Sequence, residues 1–329
     1  MPIILPTEEP APAQPASFTK YPRREATIGY WLAIFATISW AIASVLTKAA
    51  TGKLPPQLLF ATELAVGAIT LWTWVLYSEP FRISIRTACK LALPGLLQPG
   101  LAFSITFVAL QWTTISNETL IWSTESILML LLAAIFFGQR LTRPIVLLSL
   151  AAFAGVALMS LARRQDPAQS HRIVLANIMI VLAVLAACAY TFLAERALVQ
   201  LHEEQLFALH QTAGLAVAAI FAIIESKLSH HAPAHATWQI WAIACIAGIL
   251  LFAVPFVLYL RAIRILGSSA AAQFLPLVPV LTAGLAAIFL RESLNATQCL
   301  GIAIVIAAVT TIGWLQKNAA DRQHRHPTP

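Results

Sequence analysis

Apolar runs of about 20 residues recur along nearly the whole of this 329-residue chain, and few folds accommodate them. A helix of that length crosses a hydrocarbon core of ~30 Å. A transmembrane β-barrel would show alternating segments of ~10 residues instead, whereas these runs are continuous. The chain is 59% hydrophobic and 11% charged, against roughly 25% charged in soluble domains. The pattern therefore predicts an all-α integral membrane protein.

The runs predict ten transmembrane helices, five on each side of a polar break near the middle of the chain. They cover residues 28–49, 56–77, 91–113, 115–137, 144–161, 173–195, 205–225, 238–260, 268–290 and 296–315. The Pro- and Ala-rich start lacks the basic segment and apolar core of a signal peptide, so we expect a disordered tail. The predicted organisation is a tail (1–27), a first five-helix repeat (28–162), a loop (163–172), a second five-helix repeat (173–315) and a basic C-terminal tail (316–329).

The distribution of basic residues predicts the orientation. With ten spans, both termini lie on one side, and that side carries 14 of the 21 Lys and Arg residues. By the positive-inside rule both termini are cytoplasmic, in a cell inner or plasma membrane. The predicted outer loop with Arg163, Arg164 and Arg172 is an exception. Because the net charge of +7 is scattered over short loops, we expect no nucleic-acid partner, only the lipid bilayer and a small-molecule substrate.

The two halves of the chain are similar to each other. A shift of 153 residues places Gly95 on Gly248, Ser116 on Ser269 and Leu141 on Leu294. Each half has an odd number of predicted spans, so the second copy must enter the membrane in the opposite sense. The predicted fold is therefore ten transmembrane helices arranged as two inverted five-helix repeats, an architecture that recurs in transporters with a substrate site at the repeat interface.

Several short motifs make the chain resemble a known family. They are Trp40 in the first span, a Gly-x-x-Leu turn at Gly138–Leu141, the Pro276 and Pro279 pair, and an Arg-Glu-x-Leu turn at Arg291–Leu294. Their order resembles the drug/metabolite transporter superfamily, EamA type. The sequence departs from the family's pattern at Gln139, where an acid is usual, and at Glu63, where Arg is frequent. The resemblance implies alternating access, a central cavity, small metabolites or drugs as substrates, and export.

Two acids in the fourth span give the main functional indication. On a helix, Glu118, Trp122, Glu125 and Met129 share one face. A carboxylate at the bilayer centre costs about 2.5–3.5 kcal/mol on insertion scales, so Glu125 needs a protein-lined or aqueous surrounding. We interpret Glu125 as a substrate-binding or proton-coupling carboxylate, with a buried structural acid as the alternative. Glu118 lies one turn from the predicted outer end, where we expect a cavity rim.

Other polar and aromatic residues are candidates for the same space. Glu63 is expected to line the cavity or to lie at the interface, and His210 to relay protons or to be a structural histidine. Trp40 and Trp122 are candidate aromatic walls, with ordinary packing as the alternative. Further candidates are Gln98, Asn177, Tyr190, Gln211, Tyr259 and Gln273. Pro276 and Pro279 remove backbone donors from the ninth span, which favours a cavity beside it.

The fifth and tenth spans are expected to form a scaffold or a homodimer contact. Ala151 with Gly155, and Ala303 with Ala307, are small-residue pairs suited to close helix packing. In the predicted ninth span, by contrast, the repeat has Val278 where the fourth span has Glu125. The predicted scaffold is repeated, but the acid is not.

Missing motifs narrow the function. The chain has no Walker run, no HExxH and no GxSxG, which disfavours ATP-driven transport and hydrolase chemistry. The four cysteines form no CxxC pair, so no metal or redox site is expected. No Lys or Arg lies mid-span, which disfavours sugar phosphates and nucleotide sugars as substrates.

These observations predict a secondary active transporter, not an enzyme, that exports amino acids or other amine-bearing metabolites without a cofactor. Proton coupling through Glu125 is the accompanying hypothesis. Two alternatives remain at this point. One is a drug or nucleoside-type exporter with Trp40 and Trp122 as stacking walls, and the other is a polytopic membrane enzyme or receptor using His210, Glu125 and Glu63.

Overall fold

The computed structural model of the chain is built of helices. The structure describes residues 23–51, 53–78, 83–112, 118, 121–137, 142–161, 170–228, 236–289 and 296–325. Apart from one isolated bridge between Thr51 and Leu54, these residues form helices and the turns that join them. The predicted N-terminal tail up to residue 22 lies outside the described residues.

The helices follow the predicted spans, with breaks in several of them. Their bounds are α1 Arg23–Ala50, α2 Pro56–Ser78, α3 Ile85–Ala92, α4 Ala102–Ala109, α5 Glu125–Phe137, α6 Arg143–Leu161, α7 Ser170–Ala197, α8 Glu203–Leu228, α9 Trp238–Gly248, α10 Val254–Leu266, α11 Ser268–Ala272, α12 Leu277–Phe289 and α13 Ala296–Arg325. Two π-helical turns, Leu96–Leu101 and Ile249–Ala253, join α3 to α4 and α9 to α10. The last helix continues through residues assigned by sequence to the C-terminal tail.

Six helical segments of the described residues are long and apolar enough to cross a membrane, and the bent pair that contains α3 and α4 would be a seventh. The all-α membrane class is therefore confirmed. The count of ten spans stays a prediction, because α6 and α13 contain only shorter apolar segments and the start of the predicted fourth span lies outside the described residues.

The predicted third span is wrong as a continuous helix. Its two parts are bent by 41°, and Gln98 has an extended backbone with φ −145° and ψ 126°. Gln98 precedes Pro99, and a proline disfavours the helical region for the residue before it. The Gln-Pro pair therefore places the break in the middle of the span.

The predicted fourth span also contains an irregularity. The amide of Thr124 donates to the carbonyl of Ile121, three residues back, and the amide of Ile127 donates to Thr124 in the same way. The Thr124 hydroxyl donates to Ile121 as well, at 2.6 Å. Since a local side-chain bond to the backbone competes with the regular helix pattern, α5 begins only at Glu125.

Side chains from other helices satisfy the carbonyls at the second π-helical turn. Ser39 Oγ donates to the carbonyl of Leu250 at 2.8 Å, and Trp40 Nε1 donates to Leu251 at 3.2 Å. The Gln211 amide donates to the next carbonyl, that of Phe252. Irregular backbone at membrane depth persists only where protein or water satisfies it. Donors from α1 and α8 therefore hold the break between α9 and α10 in place.

Glycines allow each half to pack directly on the other. A Cβ built on Gly248 would clash with the backbone of Glu63 in α2, and a Cβ built on Gly95 would clash with the backbone of His210 in α8. Gly95 and Gly248 are repeat equivalents, and Glu63 and His210 lie at matching places in the second helix of each half. The same kind of contact therefore occurs twice. The first half supplies the glycine in one contact, and the second half supplies it in the other.

The helices α6 and α13 pack closely on each other, as predicted, but partly through other residues than the predicted ones. Their role as a scaffold stays a prediction. A Cβ on Gly155 would lie 2.8 Å from the carbonyl oxygen of Gly301 and 2.9 Å from Val305. Ala303 and Ala307 are exposed instead. They lie on the other side of α13, because a helix that presents Gly301 and Val305 turns position 303 away. The homodimer contact stays a prediction.

An ion-pair cluster joins the ends of α7, α8 and α10. Arg264 contacts Glu203 at 3.1 Å and donates to the carbonyl of Leu198 at 2.8 Å. Arg261 pairs with Glu204. Glu203 is only 5% exposed, so its charge depends on these arginines for compensation. Both arginines lie toward a helix end, as the sequence indicated.

The glycine contacts predict a specific stability defect. Gly95→Ala places a methyl group against the backbone of His210, and such overpacking typically costs about 1–3 kcal/mol. We expect the thermal unfolding midpoint of the detergent-solubilised protein to fall by several degrees. Gly284→Ala is the matched control, because a Cβ at Gly284 meets nothing within 4 Å. Equal midpoints for the two variants would show that the close contact at Gly95 does not matter.

Candidate transport cavity

One cavity of about 130 Å³ lies between the two halves of the chain. Seven of the nine predicted site residues line it, and they are Trp40, Gln98, Glu118, Trp122, Glu125, Tyr190 and Tyr259. The other described lining residues are Ser44, Phe103, Ser123, Thr191, Leu251, Phe256, Leu275, Val278 and Pro279. The breaks in the helices explain this convergence, since Gln98 and Leu251 lie in the two π-helical turns.

The repeat relates the walls of the cavity to each other. At the shift of 153 residues, four lining pairs coincide, and they are Gln98 with Leu251, Phe103 with Phe256, Trp122 with Leu275, and Glu125 with Val278. The cavity therefore lies where equivalent positions of both halves meet. Phe103 and Phe256 are the same residue type at equivalent positions, whereas in the other three pairs only the first half supplies a polar group.

Glu125 is the central acid of the cavity. It is 6% exposed and hydrogen-bonded to the hydroxyl of Thr191 in α7. The same hydroxyl donates its proton to the carbonyl of Ala187 at 3.0 Å. A hydroxyl has a single proton, so Thr191 can donate to only one of these two oxygens at a time. Thr191 is therefore a hydrogen-bonding neighbour of Glu125 that is shared with the backbone of its own helix.

Aromatic rings form the walls on either side of the acid. The ring of Trp40 meets those of Phe256 and Tyr259 edge to face, with centroids 5.3 Å apart in both cases. Phe103 stacks on Trp122 at 5.5 Å with an interplanar angle of 20°. Such pairs stabilise packing beyond the area they bury. The bond from Trp40 to the carbonyl of Leu251 also holds that wall in a single orientation.

Two polar groups of the lining have no partner among the described residues. They are the indole Nε1 of Trp122 and the hydroxyl of Tyr259. Tyr259 is 5% exposed, and the ring of Trp40 lies against it. A buried donor without a partner is costly. Both residues therefore have hydrogen-bonding capacity that nothing in the described part of the protein uses.

Glu63 does not line the cavity, which corrects both expectations for it. It is fully buried rather than interfacial, and it accepts hydrogen bonds from the Thr47 hydroxyl at 2.9 and 3.1 Å. Its backbone is the surface against which Gly248 packs. The close approach of three helices leaves this acid between α1 and α2, behind the cavity wall.

His210 also lies behind the wall rather than in it. Its Nδ1 is 3.2 Å from the hydroxyl of Tyr190, and Tyr190 lines the cavity. Of the three residues considered for the alternative of a membrane enzyme or receptor, only Glu125 lines the cavity, whereas His210 and Glu63 do not. Within the described ranges, no group of three or more His, Cys, Asp or Glu residues is placed to hold a metal ion.

The remaining polar candidates have other partners. Gln211 donates to Phe252, and Gln273 accepts a hydrogen bond from the Ser149 hydroxyl at 3.0 Å. Asn177 lies in a shallow groove on the outer face of α7. Glu118 lines the cavity and is partly buried. Its position at the rim stays a prediction.

Sequence reasoning missed several lining residues. Phe103 and Phe256 carried a usable signal, because they coincide in the same repeat shift that matches Gly95 with Gly248. Ser44 and Thr191 gave none, since single hydroxyl residues are common in membrane helices. Pro279 lines the cavity, so the expected cavity beside the ninth span is confirmed.

A helical membrane protein with a cavity between two repeated halves has the architecture of a small-molecule carrier. The model of the EamA-like transporter family matches residues 27–161 and 174–314, which is most of the chain. The protein belongs to this family, a family of membrane transporters rather than enzymes. The suspected membership of the drug/metabolite transporter superfamily is thereby confirmed.

Other comparisons add the fold but no activity. No curated protein matches the chain. A solved structure described only as the crystal structure of a protein is similar to this chain with a TM-score of 0.71 and 17% identity. The match covers 91% of this chain and 99% of the other.

The bond between Trp40 and Leu251 can be tested by removing one donor. Trp40→Phe keeps an aromatic ring but leaves the Leu251 carbonyl without its indole partner, and an unsatisfied buried group costs about 1–3 kcal/mol. We expect a lower unfolding midpoint in detergent. Trp31→Phe, on the same helix at a residue that is 55% exposed, is the control and should change little. If both variants unfold alike, the bond does not stabilise the break.

Proposed function

We propose that this protein is a secondary active transporter that exports small amine-bearing metabolites, above all amino acids, by alternating access. The observation that carries the proposal is the charge of the cavity. Glu118 and Glu125 line it, and no Lys, Arg or His is among its described lining residues. In a low-dielectric surrounding, such a site favours cations and disfavours anions.

The size of the cavity supports a metabolite rather than a drug. Its volume of about 130 Å³ is close to that of an engineered cavity of ~150 Å³ that holds one benzene molecule. Pockets for drug-sized ligands are roughly 300–1,000 Å³. The aromatic rings add favourable surfaces for a cationic amine, since an ammonium group is attracted to the face of an aromatic ring.

Proton coupling follows from the surroundings of Glu125. Glu125 is the buried central acid of the cavity; its acid form carries a proton, whereas its carboxylate form can bind an ammonium group. When an ammonium group binds the carboxylate, any proton on the acid must leave first. Proton and amine therefore compete for one group. Competition of this kind gives antiport, in which a proton moving inward is exchanged for an amine moving outward.

Alternating access is supported by the equivalent contacts that each half makes with the other. The π-helical turns lie at equivalent positions, and each half packs by a glycine on the second helix of the other. Two related arrangements of similar energy are expected when equivalent contacts can swap roles. In the inverted-repeat transporters, rocking of one repeat against the other opens the site to each side in turn.

The proposed location is a cell inner or plasma membrane with both termini in the cytoplasm. A green fluorescent protein fused after Pro329 should then fluoresce, and alkaline phosphatase fused there should be inactive. An insertion of the same reporters between residues 163 and 172 should give the opposite result, because that loop is predicted outside. Active phosphatase at the C-terminus would contradict the orientation.

The proton-coupling role of Glu125 is tested in inverted membrane vesicles with an imposed pH gradient. The probe is a radiolabelled amine selected by toxicity rescue on overexpression, across amino acids and cationic drugs. We expect gradient-driven uptake by the wild type and its loss, by at least tenfold, in Glu125→Gln, because an amide can neither release a proton nor pair with an ammonium group.

Glu63→Gln is the matched control. It changes a second buried membrane acid that lies outside the cavity and can still accept the hydrogen bond from Thr47. This variant should keep the gradient dependence of the wild type. Unchanged gradient dependence in Glu125→Gln would remove Glu125 from the coupling role.

A further inference from the structure

We infer that the cavity recognises a substrate with two ammonium groups, a diamine or a diamino acid, with one group at Glu125 and the other at Glu118. The inference rests on the proposed function and gives its substrate class. It assigns Glu118 as a residue that determines specificity rather than a solvated rim acid.

Two acids line the same cavity. Glu118 and Glu125 are seven residues apart in sequence, and the irregular turn at Thr124 lies between them. Charge-assisted hydrogen bonds between nitrogen and oxygen are only about 2.7–2.9 Å long, so each ammonium group pairs closely with its own carboxylate. We therefore assign one ammonium group to each acid.

Aromatic residues line the cavity together with the two acids. Trp122 lies four residues after Glu118 and three before Glu125 in sequence. Its ring stacks on Phe103 with the centroids 5.5 Å apart. This flat apolar surface of the cavity suits the methylene chain between two amines. An ammonium group at either end can also contact an aromatic face.

The charge of the cavity matches two cationic groups. With no Lys, Arg or His among the described lining residues, the ionised cavity carries two negative charges. A monoamine neutralises only one of them. A second ammonium group on the same molecule neutralises the other, and the carboxylate of a diamino acid then needs a hydrogen-bond donor of its own.

The hydroxyl of Tyr259 independently indicates a polar ligand. Tyr259 lines the cavity and is only 5% exposed, and its hydroxyl has no hydrogen-bond partner among the described residues. A hydroxyl donates readily to a carboxylate. A diamino acid offers such a group and a free diamine does not, so this residue distinguishes the two sources of the same diammonium chemistry.

The test compares matched amines in proteoliposomes containing the full chain. Pentane-1,5-diamine is paired with pentylamine, and lysine with norleucine, because each pair differs only by the second amine. In the wild type we expect at least a tenfold lower KM for the member with two amines. Glu118→Gln should raise the KM of the diammonium compounds at least tenfold and that of pentylamine and norleucine much less. Tyr259→Phe should weaken lysine more than pentane-1,5-diamine.

Glu63→Gln serves as the control acid variant and should keep the wild-type preference. A series of α,ω-diamines of increasing length, measured on the wild type alone, needs no variant that must fold. It should show one preferred length, whereas a flat profile would overturn the inference.

The failures are distinguishable. If the wild type transports pentylamine as well as pentane-1,5-diamine, and Glu125→Gln abolishes both, the two-amine site is wrong and the amine transporter stands. If Glu118→Gln alters only the pH dependence and not the preference, Glu118 is a second proton site and the inference is overturned. If the wild type transports none of the four amines but does transport the amine selected by toxicity rescue, the inference is overturned and the proposed function stands. Transport of no amine at all would contradict the proposed function itself.

Discussion

Every backbone group that leaves the regular helix pattern inside a membrane must find a partner within the protein. This constraint organises the centre of the molecule. The π-helical turn at Ile249–Ala253 exposes successive carbonyls, and donors from α1 and α8 satisfy them. Gly248, directly before this turn, lets α2 pack against the same region without an intervening side chain. The cavity is the space that this packing leaves beside the two breaks.

The symmetry of the scaffold and the asymmetry of its chemistry have different physical origins. Packing depends on backbone shape, so glycines and breaks recur at equivalent places in both halves. Charge is different, because each additional buried acid needs compensation. One half supplies Glu125 while its equivalent, Val278, stays apolar. The cavity thereby gains a charged wall and an apolar wall, and a ligand with distinct ends has one preferred orientation in it.

The sequence was sufficient for the class of fold and for most of the cavity wall. The length of an apolar run predicts a membrane helix because the thickness of the bilayer sets the length that a spanning helix must have. Glu125, Trp122 and Glu118 could be placed together because they are close in sequence and share one helix face. The same reasoning could not show that Glu63 and His210, which belong to other helices, lie outside the cavity.

Whether a polar side chain faces a cavity or a neighbouring helix depends on contacts made by residues far apart in the chain. Glu63 is turned into the packing by Thr47 and by the approach of Gly248, which is 185 residues away in sequence. The break at Gln98 was predictable in principle, because the Gln-Pro pair lies in the middle of an apolar run. Its effect on the cavity was not, since that depends on the second break coming to lie beside it.

The hydrogen bond between Trp40 and Leu251 connects two parts of the molecule that are usually treated separately. Trp40 lines the proposed substrate cavity, and Leu251 lies in the π-helical turn of the backbone. A bound molecule that turns the indole ring must lengthen or break this bond, which leaves the Leu251 carbonyl without its indole donor. The presence of cargo and the curvature of the α9–α10 segment are thus mechanically linked, through one side chain and over a single bond length.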